Sequence, residues 1–231
     1  MLLAVAHGSR DPAAVTSVRA LLRVVRTLRP ELPVRCCFLD LARPSLEDAL
    51  AQLAGRQPIL VPLLLGTGYH LRVDLPAALA AAGLPRTHLA PALGPHPLLA
   101  EALADRLTES GAPPQAPVVL AGAGSSDPTA LADTERMAYL LATRLGRDVT
   151  PAHLSAATPT PRQAVATLQA AGHPAVALAT YLLSPGFFAR RATGSGAPWT
   201  TAPLAAHPAV ARLVLHRYDQ ARAAIPLRSA A

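Results

Sequence analysis

His7 in "AHGSRDP" and His70 in "GTGYHLR" each stand just beyond an apolar run, the first directly after Leu2–Ala6 and the second in a glycine-containing loop. An imidazole changes charge near neutral pH, ligates divalent first-row metals and serves as a general base. A closed structural zinc site normally takes four ligands, and two histidines are too few for one. A pair of imidazoles suits a metal that is held briefly, with coordination positions left open for a substrate. Arg10, Arg72 and Arg190, with Arg191 beside it, are candidates to pair with carboxylates of a ligand. Gly8 and Ser9 at a helix start support a rival reading, a phosphate held by backbone N–H groups. Gly66 and Gly68 let the second loop bend sharply or approach a ligand closely.

These residues acquire a common location only through the elements that carry them. Leu2-Leu3-Ala4-Val5-Ala6 reads as a buried strand, and Asp11-Pro12 as an N-cap followed by proline at the first helical position. Further strands are expected near 33–39, 58–65 and 88–92, with helices near 12–28, 45–54, 74–82 and 97–108. Ser45 and Asp48 form a capping-box signature at the second helix. Alternating strands and helices specify a parallel sheet covered on both faces, with right-handed crossovers and strand order 2-1-3-4. The switch point then lies between the first and third strands, where ligands bind in open α/β sheets. His7 and His70 should face each other there, and Asp40 should border the same edge.

The unit is written twice. "LAVAHGSRDP" at 3–12 returns as "VLAGAGSSDP" at 119–128, and "LARPSLEDAL" at 41–50 as "AATPTPRQAV" at 156–165. "LLLGTGYHLR" at 63–72 matches "YLLSPGFFAR" at 181–190, and "APALGPHPLL" at 90–99 matches "APLAAHPAV" at 202–210. Four anchors in one order at nearly constant spacing argue for internal duplication. The expected architecture is two tandem flavodoxin-like lobes, each a four-stranded parallel sheet with helices on both faces. Residues 1–110 form the lobe carrying the histidine pair, 111–117 a linker within "ESGAPPQAP", and 118–231 a degenerate second lobe. In that second copy Ala123 stands for His7 and Phe188 for His70, while Gly124, Ser125, Asp127 and Pro128 persist. One working site plus a wall is the implied design. Phe187 and Phe188 are read either as core or as packing for a flat ligand. The other histidines, among them the proline-preceding His96, His173 and His207, are read as turn and helix-entry residues.

Composition narrows the classes. Hydrophobic residues make up 51% of the chain and charged residues 15%, enough for a packed core. No apolar run reaches the ~20 residues of a membrane span, and the N-terminal run is too short for a signal peptide, so a cytoplasmic location is expected. The net charge is +7, yet all 21 basic residues are arginines and are scattered, and aromatic residues are only 3%. Nucleic-acid binding is therefore not expected, whereas a small polyanion suits the charge. Without lysine there is no P-loop lysine and no Schiff base. Cys36 and Cys37 are adjacent and read as two free thiols.

"AHGSRDP", "CCFLDLARPSLEDAL" and "VPLLLGTGYHLRVDLP" together resemble the class II tetrapyrrole chelatases, the sirohydrochlorin chelatase (CbiX/SirB) family. The resemblance spans the first half and continues in weakened form through the second. It implies insertion of Co²⁺ or Fe²⁺, with Ni²⁺ as a further candidate, into sirohydrochlorin on the routes to cobalamin or sirohaem. The metal is then a substrate and no organic cofactor is needed. The family's two metal-handling histidines match His7 and His70. Ser9, Arg10, Gly68, Tyr69, Arg72 and Arg190 are the residues expected to meet a macrocycle bearing eight carboxylates. Two departures stand out: Asp40, where the family often has glutamate, and a loop without the aromatic or proline residues some relatives carry. Long chains of the family look like a fused pair, which implies a monomer with a pseudo-dimeric cleft. Two other classes stay open: a non-catalytic tetrapyrrole or metal carrier, and a phosphoanion-binding domain built on Gly8 and Ser9.

Overall fold

A computed structural model describes residues 1–84 and 88–225. Residues 226–231, the tail of the expected second lobe, lie outside the described residues. The first half runs β1 (Leu2–Ala6), α1 (Pro12–Leu28), β2 (Val34–Phe38), α2 (Leu46–Gln52) and β3 (Ile59–Pro62). A π-helical turn (His70–Asp74), α3 (Leu75–Ala81) and α4 (Pro97–Glu109) complete it. The second runs β4 (Val118–Gly122), α5 (Pro128–Leu145), β5 (Val149–His153), α6 (Pro161–Ala170), β6 (Ala177–Tyr181), α7 (Phe187–Thr193), β7 (Trp199–Thr200) and α8 (Pro208–Ala223).

Two parallel sheets result, ordered β2-β1-β3 and β5-β4-β6-β7. The second matches the expected four-stranded order. Among the described residues the first has three strands, and the segment expected as a strand near 88–92 forms a single parallel bridge between Leu60 and Leu89. Pro62 of β3 has no N–H to return to the Ala90 carbonyl, and that segment follows β3 through Ala90 N–H to Leu60 O and Leu93 N–H to Leu64 O. The caps are as the sequence requires: Asp11 accepts the Ala13 N–H at 3.0 Å, and Ser45 with Asp48 closes a capping box.

Strand alternation sorts the core into layers. Leu3 and Val5 of β1 face α2 and α3, whereas Leu2, Ala4 and Ala6 face α1 on the opposite side. In β4, Val119 and Ala121 face α6 while Val118 and Leu120 face inward. The inward faces of both sheets bury into one continuous core filled by α1, α4, α5 and α8. The last helix of each half has crossed over: α4 packs on β6 and α5, and α8 packs on β3 and α1. Two sheets thus enclose a shared helical layer. No helix among the described residues is long and apolar enough to cross a membrane.

Candidate functional site

The first histidine is aimed by a turn that only glycine can make. Gly8 has φ +95°, and a Cβ there would lie 1.7 Å from the carbonyl oxygen of Asp40. This close approach lets the Asp40 N–H donate to the His7 carbonyl at 3.0 Å, which continues the β1–β2 pairing one step beyond the strands. His7 therefore leaves the sheet edge with a fixed backbone and an exposed ring. The Asp40 carboxylate is turned to its neighbour, accepting the Leu41 N–H at 2.7 Å.

His70 opens the π-helical turn, a local widening that often accompanies function. Four residues on, Asp74 lies on the same face and takes the His70 Nδ1 at 2.6 Å. With that proton donated to Asp74, His70 Nε2 carries a free lone pair. It points at His7 Nε2, 3.2 Å away, with the rings nearly perpendicular at 85°. Metal–imidazole bonds run about 2.0–2.1 Å, so two nitrogens at this spacing subtend an angle of about 100° at a shared ion. That lies between octahedral and tetrahedral preference. Among the described residues no group of three or more His, Cys, Asp or Glu side chains is arranged around one point.

The remaining residues named from the sequence fall around this pair in different ways. Ser9 Oγ accepts the Asp11 N–H at 3.0 Å and faces Gly186 of the second half. Arg10 is exposed in the turn. Gly68 supplies a carbonyl to the N–H groups of Leu71 and Arg72 and so starts the turn that carries His70. Tyr69 is 65% exposed, and Phe187, which holds the matching place in the second half, is 62% exposed. Phe188, in the place of His70, packs instead against the outer core of its own half. Arg72 and Arg190 are both engaged across the two halves. Arg72 donates to Asp127 at 3.0 Å and Arg190 to Asp11 at 3.0 Å, each aspartate being the N-cap of the other half's first helix. The Ala13 N–H first, and Arg190 after it, hold the Asp11 carboxyl below its usual range. A small pocket beside His7 is lined by Gly8, Ser9, Phe38 and Leu63 from the first half and Leu183 and Ser184 from the second.

Asp74, Asp11 and Asp127 were not assigned to the site from sequence. Asp74 has a signal, its four-residue spacing from His70; Asp11 reads as a helix cap and Asp127 as part of the retained scaffold.

Three other histidines have structural partners. His96 and His207 cap α4 and α8, accepting the N–H groups of Leu98 and Ala209, and buried His88 bonds the Pro58 carbonyl. Cys36 and Cys37 are free thiols, and burial raises both above the usual range, Cys36 to about 11.

Fold and site together define a duplicated α/β protein that presents one open imidazole pair at the cleft between its halves. A family model described as CbiX matches residues 1–110 and 117–221, and the chain belongs to that family. The sirohydrochlorin ferrochelatase of Priestia megaterium is 28% identical over 197 residues, covering 80% of this chain and 73% of that protein. The sirohydrochlorin cobaltochelatase of Methanosarcina acetivorans is 30% identical over 82 residues, 34% of this chain and 63% of that one. The sirohydrochlorin chelatase SirB from Bacillus subtilis subspecies spizizenii, solved in complex with cobalt, superimposes with a TM-score of 0.75 at 23% identity. It matches 95% of this chain and 94% of its own.

Proposed function

We propose that this protein inserts a divalent metal, Co²⁺ or Fe²⁺, into sirohydrochlorin, with His7 and His70 as the residues that present the metal. The observation that carries this reading is the convergence of the two Nε2 atoms at 3.2 Å in an open cleft. Membership of the CbiX family and relatives named as ferrochelatase and cobaltochelatase support the reaction class.

The residues divide the work as follows. His70, oriented by Asp74, and His7 hold M²⁺ through two nitrogens, a coordination weak enough to be given up. Incorporation of M²⁺ releases two pyrrole N–H protons, and each of the two imidazoles, having passed on the metal, regains a lone pair and takes one of them. Tyr69 and Phe187 supply apolar surface on either side of the cleft for the macrocycle. Arg10, Arg72 and Arg190 answer its carboxylates, with the substrate competing against Asp127 and Asp11 for the last two. In this reading residues 1–110 carry the chemistry, 118–231 form the wall, and 111–117 join them. The protein acts as a cytoplasmic monomer with one pseudo-dimeric cleft and requires no organic cofactor, nucleic acid or membrane.

The test is anaerobic absorption spectroscopy with sirohydrochlorin and Co²⁺, Fe²⁺ or Ni²⁺ in turn, beside the His7→Ala/His70→Ala variant. Rapid spectral conversion lost in the variant is the expected result, and the relative rates rank the metals. Binding of the tetrapyrrole without accelerated insertion identifies a carrier instead. Conversion at the wild-type rate by the variant removes the histidines from the mechanism.

A further inference from the structure

The second half has lost both histidines, yet it holds the loop that aims His70. Between Leu63 at the end of the first sheet and His70, the chain passes through Leu64–Tyr69, a segment with two glycines. Two of its polar anchors come from the opposite half. Asp133 on α5 accepts both the backbone N–H and the hydroxyl of Thr67 through a single oxygen, Oδ2, at 2.7 and 2.6 Å. Tyr181, the last residue of β6, donates its hydroxyl to the carbonyl of Leu65 at 2.6 Å. The phenol is almost fully buried, and desolvation, reinforced by the charge of Asp133, raises it far above its usual range, so it remains a donor. Room for this contact is provided by Gly94, where a Cβ would fall 2.0 Å from the Tyr181 oxygen and 2.6 Å from the Leu65 carbonyl.

We infer that Asp133 and Tyr181 are positioning residues for His70, fixing the loop three and five residues before it so that its Nε2 meets that of His7. Neither touches the histidine pair, so each acts through the loop. The geometry favours this role over simple adhesion between the halves. Both contacts go to main-chain groups of the one loop whose displacement separates the two nitrogens. The degenerate half is thus a jig for the working one. A half-buried loop with two glycines has little internal means of holding an imidazole to a fraction of an ångström.

The inference rests on the function proposed above for the reaction, but its first readout is binding of Co²⁺ alone. Asp133→Ala is expected to weaken Co²⁺ binding roughly tenfold, read from the ligand-field spectrum, and to lower kcat with little change in KM for the tetrapyrrole. Asp133→Asn keeps an oxygen that can accept both Thr67 donors and is expected to restore most of the affinity. Thr67→Val removes one donor, and combined with Asp133→Ala it should cost no more than Asp133→Ala alone. Tyr181→Phe should shift the ligand-field spectrum in the same direction. Should Asp133→Ala fail to fold, Thr67→Val carries the same test at smaller amplitude. Wild-type Co²⁺ affinity and spectrum in a folded Asp133→Ala variant overturn the inference, as does equal impairment of the Ala and Asn variants. A wild-type protein that binds Co²⁺ without inserting it sinks the proposed reaction and leaves the Co²⁺ titration to decide the positioning.

Discussion

Arg190 donates to Asp11 across the two halves at 3.0 Å, and Arg72 makes the mirror contact with Asp127 at the same distance. Duplication explains the pairing. Each arginine sits just beyond the third strand of one half, and each aspartate caps the first helix of the other. Both contacts are solvent-accessible, so they contribute little to stability, and their worth lies in what they can exchange for a substrate carboxylate. Arg72→Ala and Arg190→Ala are each expected to raise KM for the tetrapyrrole about tenfold, the scale of one lost charge-assisted bond, with kcat and melting temperature nearly unchanged. Steady-state kinetics of the two single variants and the double variant check this. A fall confined to kcat would show that the arginines act on the chemistry rather than on binding.

Asp74 holds His70 Nδ1, which leaves Nε2 as the nitrogen that faces His7. Replacing Asp74 with alanine frees the ring to rotate and to change tautomer, whereas asparagine keeps an acceptor without the charge. Asp74→Ala is expected to cost between 10- and 100-fold in Co²⁺ affinity, roughly the loss seen when the partner of a metal-bound histidine is removed. Asp74→Asn should fall between the alanine variant and wild type. Isothermal titration with Co²⁺ in the absence of tetrapyrrole reads the effect directly.

The exposed rings of Tyr69 and Phe187 predict the opposite separation. Their joint replacement by alanine should weaken tetrapyrrole binding by at least tenfold, since each ring offers about 1–3 kcal/mol of buried apolar surface. Co²⁺ affinity should be untouched, because neither ring supplies a metal ligand. Fluorescence or absorption titration with metal-free sirohydrochlorin measures the first quantity. Unaltered tetrapyrrole affinity would remove both residues from the cleft wall.

Acid sensitivity should arise from histidines away from the site. Burial, the largest cause in each case, lowers His96, His153 and His207 below the ordinary value of 6.5. Arg217 and His216 press on His96, while Arg106 adds to the effect at His207 against Asp105, Glu109 and Glu101. Glu135 opposes the shift at His153, whose Nδ1 is buried without a partner. The folded values lie below the unfolded one, so as pH falls through 6.5 the unfolded chain takes up more protons. The stability contributed by the neutral rings is complete above 6.5 and declines below it. Protonation of Nδ1 also abolishes the capping acceptors of His96 and His207. Melting temperature should therefore drop from about pH 7 to about pH 5, and replacing both caps by asparagine, a non-titrating N-cap, should flatten the slope. Parallel slopes for variant and wild type in thermal denaturation would place the acid sensitivity elsewhere.

Much of this architecture is local, and the sequence by itself determined it. The apolar run of β1, the Asp11-Pro12 entry to α1, the Ser45–Asp48 capping box and the duplicated anchors all act within one element or one repeat. Strand alternation with helices then placed His7 and His70 at one switch point, because a parallel sheet with right-handed crossovers leaves few other places for them. The meeting of the two imidazoles was legible for the same reason.

Partnership across the halves was decided only by the tertiary structure. An amphipathic helix declares that it has a buried face but not which sheet will cover it, so the crossing of α4 onto β6 and α8 onto β3 left no mark in the pattern of apolar residues. Among the described residues the expected fourth strand of the first sheet is a single bridge at Leu89. Arg72 and Arg190 read as ligands for a substrate, and only the fold brought Asp127 and Asp11 beside them. Nothing in the sequence singles out Asp133 or Tyr181, because Thr67 and Leu65 reach them only in the folded chain. Hydrogen bonds and ion pairs need partners within about 3 Å, and only folding decides which residues separated by 50–180 positions meet at that distance.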